Sequence, residues 1–430
     1  MINIEEYFKK YYRFKKNPSL DTMKYFMNEY NNLHEKMNFI HIAGTNGKGS
    51  CSEIINNILI EQGYNVGKFI SPHLIRYNER ISVNKIDISD EELTEIIEEL
   101  EPKIKKYTEE NNINVTFFEI TTIIALLYFY RKNVDFVILE TGIGGLHDCT
   151  NIITKPLVSI IASIGYDHMN MLGNTLTEIA YQKAGIIKQN SDTVVFEQST
   201  GVNNVFIEEC NRKNNRIHIV LKNEIKNYKY DDKYQYFDYG DMHNIIINLK
   251  GEMQVQNASI CIEATKILNN LGYKISQMAI RQGLKTVIHR GRMDTLSERP
   301  LIIYDGAHNE SAIKNLQKII EMYYSKLKRV YIISILKRKN YEKMLELLLQ
   351  DNNAEFILTS GDNSESFASS EDLYNVAIKY NANKKIYVKT LEESLQDIMK
   401  NDTNTVNFIV GSFYTYGPVV NIIKNRKCKR

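Results

Sequence analysis

The sequence predicts an α/β protein of two domains, the first built around a P-loop-type mononucleotide-binding unit and the second Rossmann-like. Three observations predict it. Residues 39–54 read FIHIAGTNGKGSCSEI, an apolar run that enters a glycine-rich turn and leaves as a helix. Beyond residue 300, short apolar strand-type runs alternate with helical stretches. The chain has 430 residues, more than one hydrophobic core usually serves.

Composition narrows the classes. With 43% hydrophobic and 25% charged residues the chain is of ordinary globular type. A net charge of +2 gives no basic excess for nucleic acid, so charge runs are expected to be solvated faces. Cys51, Cys149, Cys210, Cys261 and Cys428 form no CxxC pair, which argues against zinc or a disulfide framework and fits a reducing cytoplasm. The start, MINIEEYFKKYYRFKK, has no apolar core of a secretory signal. The longest apolar run, Ile120 to Tyr130, is too short to span a bilayer.

In chain order, Ile4 to Phe14 and Ser19 to His34 carry helical spacing, with Ser19 or Asp21 as cap of the second. Next comes the strand Phe39 to Ala43 and its turn. Gly44, Gly47 and Gly49 let backbone N–H groups approach phosphate oxygens, the helix start adds partial positive charge, and Lys48 adds a full one. The common P-loop pattern is not met: Ile42 stands at its first glycine, and Gly49 separates Lys48 from Ser50. Val66 to Ile70 predicts a second strand. Ser71 to Val83, SPHLIRYNERISV, lacks a period and reads as a functional loop. Ser89 opens a capped helix to about Tyr107. Thr116 to Lys132 predicts a buried helix.

Asp135 to Glu140 is a buried parallel-type strand ending on an acid. Such a carboxylate beside a phosphate loop is suited to a metal. Leu157 to Ala162 is another strand, followed by His168, a candidate metal ligand at a strand end. Thr175 to Ile187 is a capped helix, and Val194 to Val220 a strand–helix–strand unit. Tyr228 to Leu249 alternates as a β-hairpin region. Gln256, Asn257 and Ala258 open a helix to Leu271, and Ile275 to Leu284 forms a shorter one. The domain junction is expected near His289–Met293, giving domains 1–290 and 291–430. Strands are expected at Leu301–Tyr304, Val330–Ile335, Ala354–Thr359, Lys385–Val388 and Val406–Val410.

The loop HIAGTNGKGS closely resembles that of the folylpolyglutamate synthase and dihydrofolate synthase family, within the Mur ligase superfamily. Further motifs follow in family order: SPHLIRYNER, FFEIT, ETGIGGLHDCTN, QKAG, HRGRM and DGAHN, with GSFY near the end. The resemblance runs from about Ser19 to Tyr414. It implies a Mur-type central ATPase domain and a C-terminal ligase domain that together join L-glutamate to dihydropteroate or a folate through an acyl phosphate, releasing ADP and phosphate.

Residue roles implied by the resemblance are these. Gly44, Thr45, Asn46, Gly47, Lys48, Gly49 and Ser50 cradle ATP, with Asn257, Arg292 and Asp305 also on the nucleotide. Ser71, Glu140 and His168 hold Mg²⁺. Lys183 is carboxylated by CO₂ and binds a second Mg²⁺. Phe118, Glu119, Thr121, His147 and Asp148 border the substrate. Lys48, Lys183, Asp305 and His308 are catalytic, with Asp305 and His308 projecting back onto ATP. The chain departs from the family at Leu146 (for arginine), Cys149 (for alanine) and Gln182 (for glutamate). A monomer is expected, with no nucleic-acid or membrane partner. The alternatives are another Mur-type amide ligase, a P-loop NTPase without an acceptor and a non-catalytic binding protein. FFEIT and SPHL speak against the first, and the unmet P-loop pattern against the second.

Overall fold

The computed structural model describes residues 2–12, 18–361, 366–381, 383–401 and 404–427. It divides into two compact units, one of residues 1–248 and 252–287, the other of residues 249–251 and 288–430.

The first unit begins with α1 (Ile4–Lys9) and α2 (Asp21–Glu29). Neither Ser19 nor Asp21 caps α2. Its cap is Leu20, whose apolar side chain accepts no hydrogen bond. Of the predicted first helix, Arg13 and Phe14 lie outside the described residues. Then come β1 (Phe39–Ala43), α3 (Lys48–Glu61), β2 (Val66–Phe69), β3 (Ile81–Val83) and β4 (Ile86–Asp87). They are followed by α4 (Asp90–Asn111), α5 (Phe117–Arg131), β5 (Phe136–Glu140), β6 (Val158–Ile161), α6 (Met169–Leu172) and α7 (Leu176–Ala184). The unit continues with β7 (Asp192–Phe196), α8 (Thr200–Arg212) and β8 (Arg216–Val220). It ends with β9 (Ile225–Tyr230), β10 (Gln235–Tyr239), β11 (Met242–Ile247), α9 (Glu252–Asn270) and α10 (Gln277–Thr286).

Among the described residues, the main sheet has the order β4-β3-β2-β5-β1-β6-β7-β8. It is parallel from β2 to β8, with β3 and β4 antiparallel at one edge. Every residue of β1, β5 and β6 is buried, as strands covered by helices on both faces must be. Capping boxes start α4 at Ser89–Glu92, α5 at Thr116–Glu119 and α7 at Thr175–Glu178, each satisfying two otherwise unpaired backbone N–H groups. Helix α5 is apolar on nearly all sides and is buried over most of its length.

Three local readings are corrected. The end of the loop 71–83 is strand β3, turned into β4 by Asn84 and Lys85, both at positive φ. The alternating stretch after residue 224 forms a separate three-stranded antiparallel sheet, β11-β10-β9. Helix α9 begins at Glu252, so Asn257 lies more than a turn inside it.

The second unit holds β12 (Asp294–Glu298), β13 (Leu301–Asp305), α11 (Glu310–Tyr324), β14 (Lys328–Ile333), α12 (Tyr341–Leu348) and β15 (Ala354–Leu358). It continues with α13 (Ser370–Asn381), β16 (Ile386–Val388), α14 (Leu391–Ile398), β17 (Thr405–Val410) and α15 (Tyr416–Lys427). The sheet order is β12-β13-β17-β14-β15-β16, parallel except for β12. A core of Ile303, Leu316, Tyr331, Met344, Phe356 and Phe408 lies between the sheet and its helices. Both units are therefore α/β folds with mainly parallel sheets.

Candidate active site

In open parallel sheets, ligands collect outside the carboxyl ends of the strands. Strand β1, flanked by β5 and β6, delivers the loop Gly44–Gly47 and then the first turn of α3. Gly47 stands at φ +89°, and a Cβ there would sit 2.7 Å from Asn257 Oδ1. Glycine thus meets both the backbone and the space requirement, and the contact brings Asn257 of α9 onto the loop. Lys48 Nζ donates to Gly44 O at 3.1 Å, folding the lysine back over the turn. Thr45 ties this loop to the one after β6: its hydroxyl donates to Gly165 O at 3.0 Å, and its N–H donates to Ser163 O at 2.8 Å. Asn46 and Ser50 are buried, while Gly49 is partly exposed.

The expected metal ligands come from three strand ends. Ser71 follows β2 and precedes a cis peptide to Pro72. Glu140 is the buried last residue of β5. His168 follows β6 in a left-handed conformation (φ 50°), beside Asp167. Among the described residues, no group of three or more His, Cys, Asp and Glu side chains could by itself hold a metal ion. The expected set includes only two residues of those types. A carboxylate and a hydroxyl are hard oxygen donors that suit Mg²⁺, which ordinarily draws further oxygens from phosphate and water.

Lys183 lies on α7 and is 4% exposed. Burial, and then the positive charge of Lys48, pull its pKa down from the usual lysine range to about 7. A substantial share of its amine is therefore neutral near pH 7, the form that reacts with CO₂, so the residue fits the expected modification.

The glycine turn after β5 packs on this helix. Leu146 N–H donates to Gln182 O at 2.7 Å, and a Cβ at Gly185 would meet Leu146 Cα at 2.2 Å. Two of the three departures from the family pattern, Leu146 and Gln182, are therefore neighbours. On the other side, the Phe118 ring lies against the turn: a Cβ at Gly142 would be 2.6 Å from Phe118 Cζ.

Several residues expected at the substrate have partners inside the protein. Asp148 is buried, and its oxygens accept from Gly142 N, Ile143 N, Thr150 N and Thr150 Oγ1 at 2.6–3.0 Å. Burial pushes its pKa up, opposed by these donors. Glu119 is buried as the capping partner of Thr116. Thr121, also buried, donates to Phe117 O at 2.7 Å and pairs with the Tyr77 hydroxyl at 2.9 Å. His147 is exposed.

In the second unit, Asp305 ends β13 and accepts from Met293 N and Ala307 N, both at 2.9 Å. Burial raises its pKa, while Arg292, 4.0 Å away, opposes the rise. His308 donates from Nδ1 to Gly306 O at 2.8 Å, which leaves the lone pair of the neutral ring on Nε2. Both the Arg292 guanidinium, 4.5 Å from the ring centre, and the His308 ring rest on Phe413. A Cβ at Gly306 would run into that same ring. Phe413 thus gathers DGAHN and Arg292 into one cluster. The sequence showed GSFY only as a motif echo, because a packing role leaves no local pattern.

Comparison with known proteins extends this picture. The Mur ligase middle domain matches residues 42–265, and the dihydrofolate synthetase C-terminal domain matches residues 292–422. A dihydrofolate synthase/folylpolyglutamate synthase of Bacillus subtilis (strain 168) is 36% identical over 417 residues, covering 92% of this chain and 93% of that protein. The crystal structure of folylpolyglutamate synthase from Thermotoga maritima superposes with TM-score 0.83 at 28% identity, covering 98% of this chain and 96% of that one. A folylpolyglutamate synthase complex with AMPPCP and folate superposes with TM-score 0.81 at 26% identity, covering 97% and 98%. The motif order, the fold of both units and these matches agree, and the chain belongs to the dihydrofolate synthase/folylpolyglutamate synthase family of Mur-type ligases.

Proposed function

We propose that this protein is an ATP-dependent ligase that joins L-glutamate to dihydropteroate or a folate. The observation that carries the reading is Lys183, a buried lysine beside Lys48 whose amine can be neutral near pH 7. The family resemblance assigns a carboxylated lysine to this position, and a simple NTPase has no use for one.

A carboxylate is a poor electrophile. Its oxygen attacks the γ-phosphorus of ATP, the bond to the bridging oxygen breaks, and ADP leaves. The glutamate amine then attacks the acyl carbon, phosphate departs with the bonding pair, and the amine loses a proton. Lys48, the N–H groups of Gly47 to Ser50, and Arg292 are assigned to charge on the phosphoryl oxygens. Asn257 is assigned to the nucleotide, resting on its contact with Gly47. Asp305 and His308 are assigned to the second half-reaction, in which the Nε2 lone pair of His308 could take the amine proton.

Ser71, Glu140 and His168 would hold Mg²⁺, and a carboxylated Lys183 a second ion; when bound, these ions neutralise phosphate charge. Phe118, against Gly142, is the candidate wall of the pterin pocket, with His147 on the exposed rim. The engaged groups of Glu119, Thr121 and Asp148 are assigned to shaping that pocket. Residues 1–290 are taken as the ATP-binding domain and 291–430 as the glutamate ligase domain. We assign a cytoplasmic monomer. Among the described residues no helix is long and apolar enough to cross a membrane.

The test is ADP release and product mass with MgATP, glutamate, and either dihydropteroate or tetrahydrofolate. ADP formed only with acceptor and glutamate together, and a product heavier by one glutamyl residue, supports the reading. Equal ADP release without acceptor would favour the NTPase. A product formed only with a cell-wall precursor would favour another Mur-type ligase.

A further inference from the structure

The family motifs leave unexplained a fully buried histidine in the middle of β1. His41 is 0% exposed, and its register partners are Leu139 on β5 and Ser159 on β6. Its Nε2 lies 2.9 Å from Thr150 Oγ1. The direction of that bond follows from the next link. Thr150 Oγ1 has one proton, and it goes to Asp148 Oδ1 at 2.6 Å, because an ionised carboxylate can only accept. The threonine oxygen therefore accepts from His41, and the imidazole proton is on Nε2. Among the described residues Nδ1 has no hydrogen-bond partner, as suits the unprotonated nitrogen of a neutral ring. Burial, and then the charge of Lys188, hold the pKa of His41 well below the usual histidine range.

At the far end, Asp148 Oδ2 accepts from Gly142 N at 2.9 Å and Ile143 N at 3.0 Å. These amides begin just after Glu140-Thr141, and Phe118 packs on Gly142. One directed chain thus runs from the central strand, through Thr150 and Asp148, to the turn between Glu140 and the helix that bears Lys183.

We propose that His41 is a positioning residue for the ligase reaction: through Thr150 and Asp148 it fixes the turn at Gly142 and Ile143, and so the aim of Glu140 and the seat of Phe118. The proposal rests on the functional reading above for the identity of the reaction and for Glu140 as a Mg²⁺ ligand. Removing the Nε2 donor frees the threonine hydroxyl to rotate. Asp148 then has one reliable donor fewer, and the turn loosens without loss of the sheet.

The experiment compares His41→Gln, whose amide nitrogen reaches as far along the side chain as Nε2, with His41→Leu. Thr150→Ser is compared with Thr150→Val. Backbone amide exchange over residues 141–148 reads the turn directly, and the Mg²⁺ dependence of turnover reads Glu140. His41→Leu and Thr150→Val are expected to exchange faster at Gly142 and Ile143, and to need about 10- to 100-fold more Mg²⁺, the usual cost of losing a partner behind a metal ligand. His41→Gln and Thr150→Ser are expected to stay near wild type. Wild-type exchange in a folded His41→Leu protein would overturn the proposal, as would equal loosening in His41→Gln. Should His41→Leu not fold, His41→Asn, one bond too short to reach Thr150, takes its place. The exchange readout needs no ligase activity, so failure of the functional reading would be seen separately.

Discussion

Lys48 and Lys183 lie within electrostatic reach of each other, and the charge of the first adds to burial in bringing the amine of the second to a pKa of about 7. An exposed lysine has a pKa of about 10.4 and would be almost wholly cationic at neutral pH. CO₂ adds to the neutral amine, forming a carbamate and releasing a proton. Carbamate formation should therefore rise with pH through about 7, where the neutral share of Lys183 grows. Carbon-13 NMR with labelled bicarbonate and Mg²⁺ should show one carbamate resonance, absent in Lys183→Ala and Lys183→Arg. Lys183→Ala should be nearly inactive and partly rescued by a small carboxylic acid. Full activity of that variant in CO₂-depleted buffer would end the idea.

Lys48 folds back onto Gly44 at the start of α3. Its charge is needed most when charge develops on the transferring phosphoryl group. Lys48→Ala should lower kcat by roughly a hundredfold or more at saturating MgATP. Near-normal turnover would remove Lys48 from the phosphate site.

Gly142 has no room for a methyl group, because Phe118 occupies that space. Gly142→Ala should displace the ring and raise KM for the folate by about tenfold, as overpacking commonly costs about 1–3 kcal/mol. KM for ATP should hold. Adding Phe118→Leu to the Gly142→Ala variant should recover part of the loss. A rise in both constants together would point instead to damage at the phosphate loop.

Asp305 accepts from the amide of Met293, just before β12, and from that of Ala307, inside the DGAHN turn. Asp305→Asn keeps one acceptor and Asp305→Ala keeps none. Activity should fall in that order, with Arg292 losing its carboxylate neighbour in both. Thermal denaturation separates this from unfolding: Asp305→Asn should melt near the wild-type temperature while its kcat drops.

Lys188 gives a stability prediction. Burial, with a contribution from Lys213, lowers its pKa to about 8, while its Nζ donates to Asn151 O. The unfolded value is about 10.4. Between those limits the unfolded chain binds a proton that the folded chain does not, so this group makes stability rise with pH across that window. Below pH 8 both states are protonated and the full penalty stands. Lys188→Met should therefore gain most on the wild type below pH 8 and lose that advantage toward pH 10, as measured by urea unfolding. A constant difference between pH 7 and pH 10 would contradict the shift.

Legibility in the sequence followed the physics of each element. Strands β1, β5 and β6 were readable because burial on both faces writes an unbroken apolar run. Capped helices such as α4 and α7 carry their start in Ser89–Glu92 and Thr175–Glu178. Strand β12 was missed because it is an edge strand, only partly buried, with polar residues. The β3–β4 turn was missed because Asn84-Lys85 lacks the glycine that usually marks it. Among the candidate site residues, Lys48 and Glu140 stand out in the sequence by their positions after and at the end of apolar strands. His41 did not, since a histidine inside an apolar run looks like packing until Thr150, far along the chain, is seen beside it. Phe413 was hidden for the same reason.

The β5-β1-β6 order also bears on how the chain is made. The phosphate loop is finished early, at Ser50, yet Thr45 is anchored by Ser163 and Gly165. Glu140 and Lys183 also come after it, from a neighbour of β1 and from a later helix. A nascent chain halted before residue 158 has the glycine motif and Glu140 but lacks Ser163, Gly165 and Lys183. It should neither bind MgATP tightly nor hydrolyse it, which spares the cell a half-built ATPase during synthesis. Nucleotide can therefore select only chains whose central sheet is already assembled, and it stabilises those by mass action.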